Sequence, residues 1–493
     1  MFDEGALRHI RRHWAVFAGL AVALVAWGVV DVGRRAVVDP QRPYLHMTDL
    51  TVYTEAGAAF FDGREPYEVM NVRGWKYLYP PLFALLVAPL AALSPSSQAL
   101  VFFAISVLLC LGSYCECRRI LAGMLVGAPE RQRFAVVLAI VAGATALFPT
   151  LNCLQRGQIG VVLLYPLLMG FRLVVVAEGR GAWFLGGLVL ALPVVLKLTP
   201  VLPVGCLLLA LALRTNARLI ETAAEPGEWT PVRARRKFWH VAAGALTGGL
   251  LFTLLIPAGL IGWQANLGHL HTWATRVASK ADHDRTDQFA GAGSTVRNQS
   301  LTNAVQRFGN WAAFKFAGGP DDRLLDQVRL PELGTMPMDQ PLIHSLLLAA
   351  RGLAGLMLLT AVIALGRRGD PIALGFALGL GCVATFVVAP VARGHYFLLY
   401  VPALLFGGLW LRQCSGEKPA FRFAAIPMLL CLVHYLALNH AGRIGLLGLG
   451  TALWFFAACG VVVAEAVRGG RTMQPEDAPA AQAVAAPERR AAA

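Results

Sequence analysis

The chain has 493 residues, 57% of them hydrophobic and only 15% charged, with a mean hydropathy of +0.58. Soluble domains carry about 25% charge, so the composition excludes a water-soluble globular protein and makes lipid the main solvent. The formal net charge of +14 is no nucleic-acid footprint, because the basic residues lack clustering with aromatics; retention of cations on one membrane side and attraction to anionic lipid account for it.

A spanning helix needs about 20 mostly apolar residues. The first such run, 14–33, follows Arg8, Arg11 and Arg12 and has no small-residue cleavage site, so it reads as a retained signal anchor behind a cytoplasmic N-terminus, 1–13. An acidic, aromatic stretch follows, HMTDLTVYTEAGAAFFDGREPYE at 46–68. In it Leu50, Tyr53, Gly57 and Phe60 or Phe61 recur at helical spacing. This predicts a helix lying on the outer membrane surface, one face in lipid and one in water, ended by Asp62-Gly63. Asp49 stands at its start. It reads both as an N-cap, which Asp favours, and as a carboxylate base at the lipid–water boundary; the two roles are compatible. Beyond Pro66 and Tyr67 an extended passage leads to Tyr77, Tyr79, Pro80 and Pro81, interfacial aromatics that mark re-entry into lipid.

Further apolar runs lie at 80–93, 97–116, 133–149, 157–177, 182–213, 239–261, 343–366, 371–390, 396–412, 421–438 and 443–466. The run at 80–93 is short, and that at 182–213 is interrupted by Lys197, Thr199 and Pro200. With the first taken as a short span and the second as one broken span, the total is about twelve. The clusters at Arg8–Arg12, Arg214–Lys237, Arg367–Arg368, Arg412–Arg422 and Arg468–Arg471 then fall on the cytoplasmic side. Two large loops, 34–79 and 264–342, become exoplasmic; they contain none of the nine cysteines, so no disulfide framework holds them. Arg118, Arg119, Arg131 and Arg133 disagree, falling outside. Splitting 182–213 into two spans would bring them inside, but 80–93 would then not cross, and the simpler count is taken. Lys197 within an apolar run is costly and marks either function or a snorkelling cation. His269 with His271, and Asp282-His283-Asp284, have metal-like spacings without completing ligands and read as solvated loop residues. No cofactor is called for, and a divalent ion stays open. The Ala/Pro-rich tail 472–493 reads as a disordered cytoplasmic end, leaving 14–471 as one transmembrane domain.

Five elements in order carry a resemblance. They are Asp49 with its helix, the Gly63-Arg64-Glu65-Pro66-Tyr67 turn and Tyr79–Leu82; Arg156-Gly157-Gln158; Leu196-Lys197-Leu198-Thr199-Pro200; Asn298-Gln299-Ser300-Leu301 with Arg307; and Pro390–Tyr396. Together, over roughly 45–410, they resemble glycosyltransferase family 87 of the GT-C superfamily, which contains polyprenol-phosphate-mannose-dependent mannosyltransferases. The resemblance implies an all-α polytopic membrane protein with a GT-C-type bundle. It also implies an inverting transfer of a sugar, most simply mannose, from a polyprenyl-phosphate carrier to a lipid or glycan acceptor on the exoplasmic face of the cell membrane. Asp49 would be the base. Arg393, His395, Tyr396, Lys197, Arg297, Asn298 and Gln299 would hold the donor phosphate and sugar, and Tyr53, Tyr67 and Tyr79 would position the loop or the acceptor. Arg393 and His395 also read as ordinary interfacial residues, and Arg156 as a helix-end charge. The competing class is a transporter or flippase for a lipid-linked sugar. Against it stands the lack of a second broken segment in the second half of the chain.

Overall fold

A computed structural model describes residues 19, 22, 23, 25–35, 38, 39, 42–46, 48–70, 76–125, 128–215, 231–278, 299–301, 304, 305, 341–389, 392–437, 441 and 445–469. Their regular structure is helical apart from one antiparallel ribbon of β1 (Val38–Asp39) and β2 (Arg42–His46). A short helix α1 (Leu50–Phe61) and a shorter α2 (Pro81–Val87) precede the long α3 (Pro95–Met124) and α4 (Pro129–Arg156). Then come α5 (Gly160–Val175), α6 (Arg180–Leu196), α7 (Val201–Leu213), α8 (Pro231–Leu250, continued through a π turn to Ile261) and α9 (Trp263–Thr272). The second half has α10 (Pro341–Arg368), α11 (Pro371–Val388), α12 (Tyr400–Ser415), α13 (Glu417–Leu436) and α14 (Leu446–Gly469). Eight of the helical segments, α3, α4, α8, α10, α11, α12 with the 3₁₀ turn before it, α13 and α14, are long and apolar enough to cross a membrane. This is a polytopic membrane protein.

Helices α11 and α12 form the centre, buried along nearly their whole length. The outer helices instead present bare aliphatic faces such as Leu108, Ile140, Leu246 and Leu356. That inversion is what a lipid solvent requires. Between α6 and α8 the backbones touch: a Cβ on Gly187 would lie 2.0 Å from Val241 O, and one on Gly244 1.9 Å from Phe184 O. Small residues allow this close approach, which supplies packing where no hydrophobic drive exists between helices in lipid.

The helix ends gather at two poles. At one, Asp49 N–H bonds to Arg156 O (2.8 Å), Thr385 Oγ1 to Thr199 O (3.3 Å) and Gln299 N–H to Ala392 O (2.6 Å). The starts of α1, α5 and α7 and the ends of α4, α6 and α11 therefore meet there. At the other pole, Arg172 and Arg119 pair with buried Glu116, Arg233 with Glu178, and Arg412 with Glu130 (4.0 Å).

Three expectations change. The segment 81–92 does not cross: it leaves the Asp49 pole at Pro81, and by Ala88 it is back against α1, where a Cβ on Gly57 would lie 2.5 Å from Ala84 O and 2.8 Å from Ala88 Cα. The run 182–213 is instead two antiparallel passages, α6 and α7, parted at Lys197–Pro200. As a result Arg118, Arg119, Arg131 and Arg133 lie at the pole away from Asp49, together with the described members of the other cationic clusters, Arg214, Arg233–Lys237, Arg367, Arg368, Arg412 and Arg468. Helix α1 also does not lie half in water, since residues from Leu50 to Phe60 are buried on nearly every side beneath α2.

Candidate active site

The site is built where α4 turns into α5. Gly157 has φ +64°, and the Gln158 N–H reaches back to Cys153 O (3.0 Å), a Schellman ending. Only glycine fits, both for its left-handed backbone and because a Cβ would press to 2.9 Å on Leu50 Cβ. The turn sends Arg156 and Gln158 towards Asp49. Arg156 Nε lies 3.3 Å from Asp49 Oδ2, and Gln158 Nε2 donates to the same oxygen at 2.5 Å. Asp49 occupies the N-cap position of α1, yet its side chain makes no capping bond. The carboxylate is turned into the bundle end and buried at 2% exposure.

From Gln158 a polar path continues. Tyr53, one turn along α1 from Asp49, donates its hydroxyl to Gln158 Oε1 (3.2 Å) and stacks on Tyr79, with ring centroids 5.5 Å apart. Lys197 Nζ donates to Tyr79 Oη (3.4 Å) and sits 3.6 Å from the Tyr396 ring centroid, a cation–π contact. Lys197 can stand here because α6, with Pro193 in its last turn, ends at Leu196, while Pro200 opens α7 and disfavours helix at the residue before it. Burial holds the phenols of Tyr53 and Tyr79 well above the ordinary tyrosine range, so both remain protonated donors.

The 3₁₀ turn Gly394–Leu399 brings the remaining groups. Arg393 is buried within electrostatic reach of Tyr396, Arg156 and Asp49. His395 is buried with its ring edge-on to Tyr396 (4.3 Å), and both ring nitrogens lack a hydrogen-bond partner. Beside Lys197 a small recess, about 10 Å³, lies between α5, the α6–α7 break and the end of α11; Thr199, Thr385 and Tyr396 also border it.

Asp49, Tyr53, Tyr79, Lys197, Arg393, His395 and Tyr396 are thus gathered at one point from segments far apart in sequence. Gln299 is drawn to its edge, where its main chain bonds Ala392 and its Oε1 accepts from Gly448 N–H (3.4 Å), tying the second large loop to the Arg393 turn. Arg297 and Asn298 lie outside the described residues, as do Asp282, His283 and Asp284. Tyr67 is not in the polar cluster. It packs on Phe60 and Tyr77, behind the turn that Glu65 caps through Tyr67 N–H (3.2 Å), and so shapes the loop. His269 packs edge-on against Phe60 (4.7 Å), and no group of metal-ligating side chains occurs among the described residues. Two members were not assigned from sequence: Arg156, which reads as a helix-end charge, and Gln158, noted only as part of a motif.

The fold and site together are those of a polytopic membrane protein with a buried carboxylate and buried cations gathered at one pole. Residues 77–390 match glycosyltransferase family 87, and the chain belongs to that family and is a glycosyltransferase. It is 27% identical over 422 residues, 81% of this chain and 76% of the other, to the polyprenol-phosphate-mannose-dependent alpha-(1-2)-phosphatidylinositol mannoside mannosyltransferase of Mycobacterium tuberculosis. No solved structure matches it.

Proposed function

We propose that the protein transfers a sugar, mannose in the first instance, from a polyprenyl-phosphate carrier to a lipid or glycan acceptor on the exoplasmic face of the membrane. The observation that carries this reading is charge: the described cluster holds three buried cations, Arg156, Lys197 and Arg393, around one carboxylate, Asp49, with an unpartnered imidazole at His395. Buried charge of one sign is costly unless paired. A phosphate balances it.

In this mechanism Asp49 takes the proton of the acceptor hydroxyl as its oxygen bonds to the anomeric carbon. The bond from that carbon to the phosphate oxygen breaks on the opposite face, inverting the anomeric configuration. Charge accumulates on the departing phosphate, where Arg393, His395 and Lys197 are best placed to hold it. Arg156 and Gln158 fix the carboxylate. The relative is polyprenol-phosphate-mannose-dependent, which supports the donor class. The side is argued from charge: with twelve passages, made by the first apolar run, the eight long segments, α5, α6 and α7, every cationic cluster among the described residues falls at the pole away from Asp49. That pole is then cytoplasmic and the site exoplasmic.

The test is transfer by the purified protein in nanodiscs, using polyprenyl phosphates carrying radiolabelled mannose, glucose or arabinose with native membrane lipids as acceptors. The expected result is an inverted mannoside product. Movement of the intact lipid-linked sugar across vesicles without transfer would instead establish a flippase.

A further inference from the structure

Tyr435, in the last turn of α13, lies beyond the family-matched residues 77–390 and outside every motif noted in the sequence. Its ring stacks on Phe148 of α4, with centroids 5.2 Å apart and planes 17° from parallel, which fixes where its hydroxyl points. That hydroxyl is buried and has no hydrogen-bond partner. It rests against the backbone between Arg393 and His395: a Cβ on Gly394 would lie 2.4 Å from Tyr435 Oη. Arg156 is an electrostatic neighbour of the phenol.

A buried hydroxyl with no partner costs stability, and phenylalanine would make the same stack without that cost. Gly394 in turn keeps open the space that the oxygen fills. The hydroxyl thus lies beside the backbone that carries Arg393 and His395 and, like the two ring nitrogens of His395, makes no hydrogen bond among the described residues. Arg156 acts on the phenol as a positive charge, so the fitting occupant is an anionic oxygen that accepts a hydrogen bond.

We infer that Tyr435 is a substrate-contacting residue whose hydroxyl donates to a non-bridging oxygen of the donor phosphate. The inference rests on the function proposed above and adds to it a contact to the phosphate from α13.

The test compares wild type with Tyr435→Phe, as full-length protein in nanodiscs, for binding of a C20 isoprenyl phosphate and of the corresponding phosphate-free isoprenol. Wild type should prefer the phosphate. Tyr435→Phe should weaken phosphate binding about 10-fold, leave the alcohol unchanged and leave the melting temperature unchanged or raised, because no internal hydrogen bond is lost. Gly394→Ala should also weaken phosphate binding, by displacing the hydroxyl, and the double variant should bind no worse than Gly394→Ala alone. If wild type does not distinguish phosphate from alcohol, the donor-phosphate reading fails and this inference falls with it. If wild type does distinguish them while Tyr435→Phe binds equally well, or if Tyr435→Phe loses stability along with affinity, the Tyr435 assignment alone is overturned. A rise confined to the acceptor KM overturns it in the same way, as would strictly additive losses in the double variant.

Discussion

Asp49 is open to a decisive perturbation because its carboxylate serves two roles that a double substitution separates. Asp49→Asn removes the basicity and also one half of a buried ion pair, since Arg156 Nε stands 3.3 Å away and the two side chains are 8% and 3% exposed. At that separation and an effective dielectric of about 20 the gross attraction is about 5 kcal/mol. Stranding one partner of such a buried pair costs about 3–5 kcal/mol of stability. General-base catalysis is worth about 10²- to 10⁴-fold in rate, or roughly 3–5 kcal/mol of barrier. The two losses are of similar size, so inactivity of the single variant does not tell a base from a structural anion.

Arg156→Gln added to Asp49→Asn makes the pair neutral and keeps groups that can hydrogen-bond. The amide at 49 still accepts from Gln158 Nε2, a bond of 2.5 Å in the native protein. The melting temperature should fall in Asp49→Asn and recover most of the way in the double variant, whereas turnover of the lipid-phosphate sugar should stay at least about 100-fold down in both. The readouts are a thermal unfolding scan in detergent and initial rates with radiolabelled donor. Turnover that returns with stability would refute the base assignment and leave Asp49 as a clamp for Arg156. The base would then be sought at Glu55, a half-buried carboxyl on the same helix whose pKa burial raises.

Arg393→Ala and His395→Ala should each raise the donor KM and lower kcat with little change in the acceptor KM, a loss of about 10- to 150-fold in kcat/KM measured by initial rates, and Arg393→Lys should restore only part of it. In a cysteine-free background, a membrane-impermeant thiol reagent should label Arg64→Cys but not Arg131→Cys in intact cells; the reverse pattern would move the site to the cytoplasm. Gly244→Val should cost at least about 1–3 kcal/mol, read as a lower melting temperature and reduced yield, because the α6 backbone at Phe184 O leaves no room for a side chain.

Asp49 and Lys197 were legible in sequence because each is costly where it stands: an acid at a span exit and a cation inside an apolar run. Their neighbours were not. Gln158 meets Asp49 across 109 residues, and an arginine at the end of a helix looks the same whether it meets water or a buried carboxylate. Tyr435 gave no local sign at all, since an aromatic near the end of an apolar helix is ordinary there. The assignment of the runs at 80–93 and 182–213 changed for a different reason. Hydropathy measures how apolar a run is, and 81–92 is as apolar as a crossing helix, but whether a run crosses depends on where its far end goes. Here it goes back to Gly57, whose missing side chain lets Ala84 and Ala88 settle on α1. The basic residues carried the information that run length hid. Four arginines at 118, 119, 131 and 133 stood on the wrong side under one division of 182–213 and on the right side under the other. The energetic rule that separates cations across a membrane therefore outweighs a marginal difference in the length of an apolar run. The Pro193, Lys197 and Pro200 break is the local reason: it turns the chain back at the pole that holds Asp49.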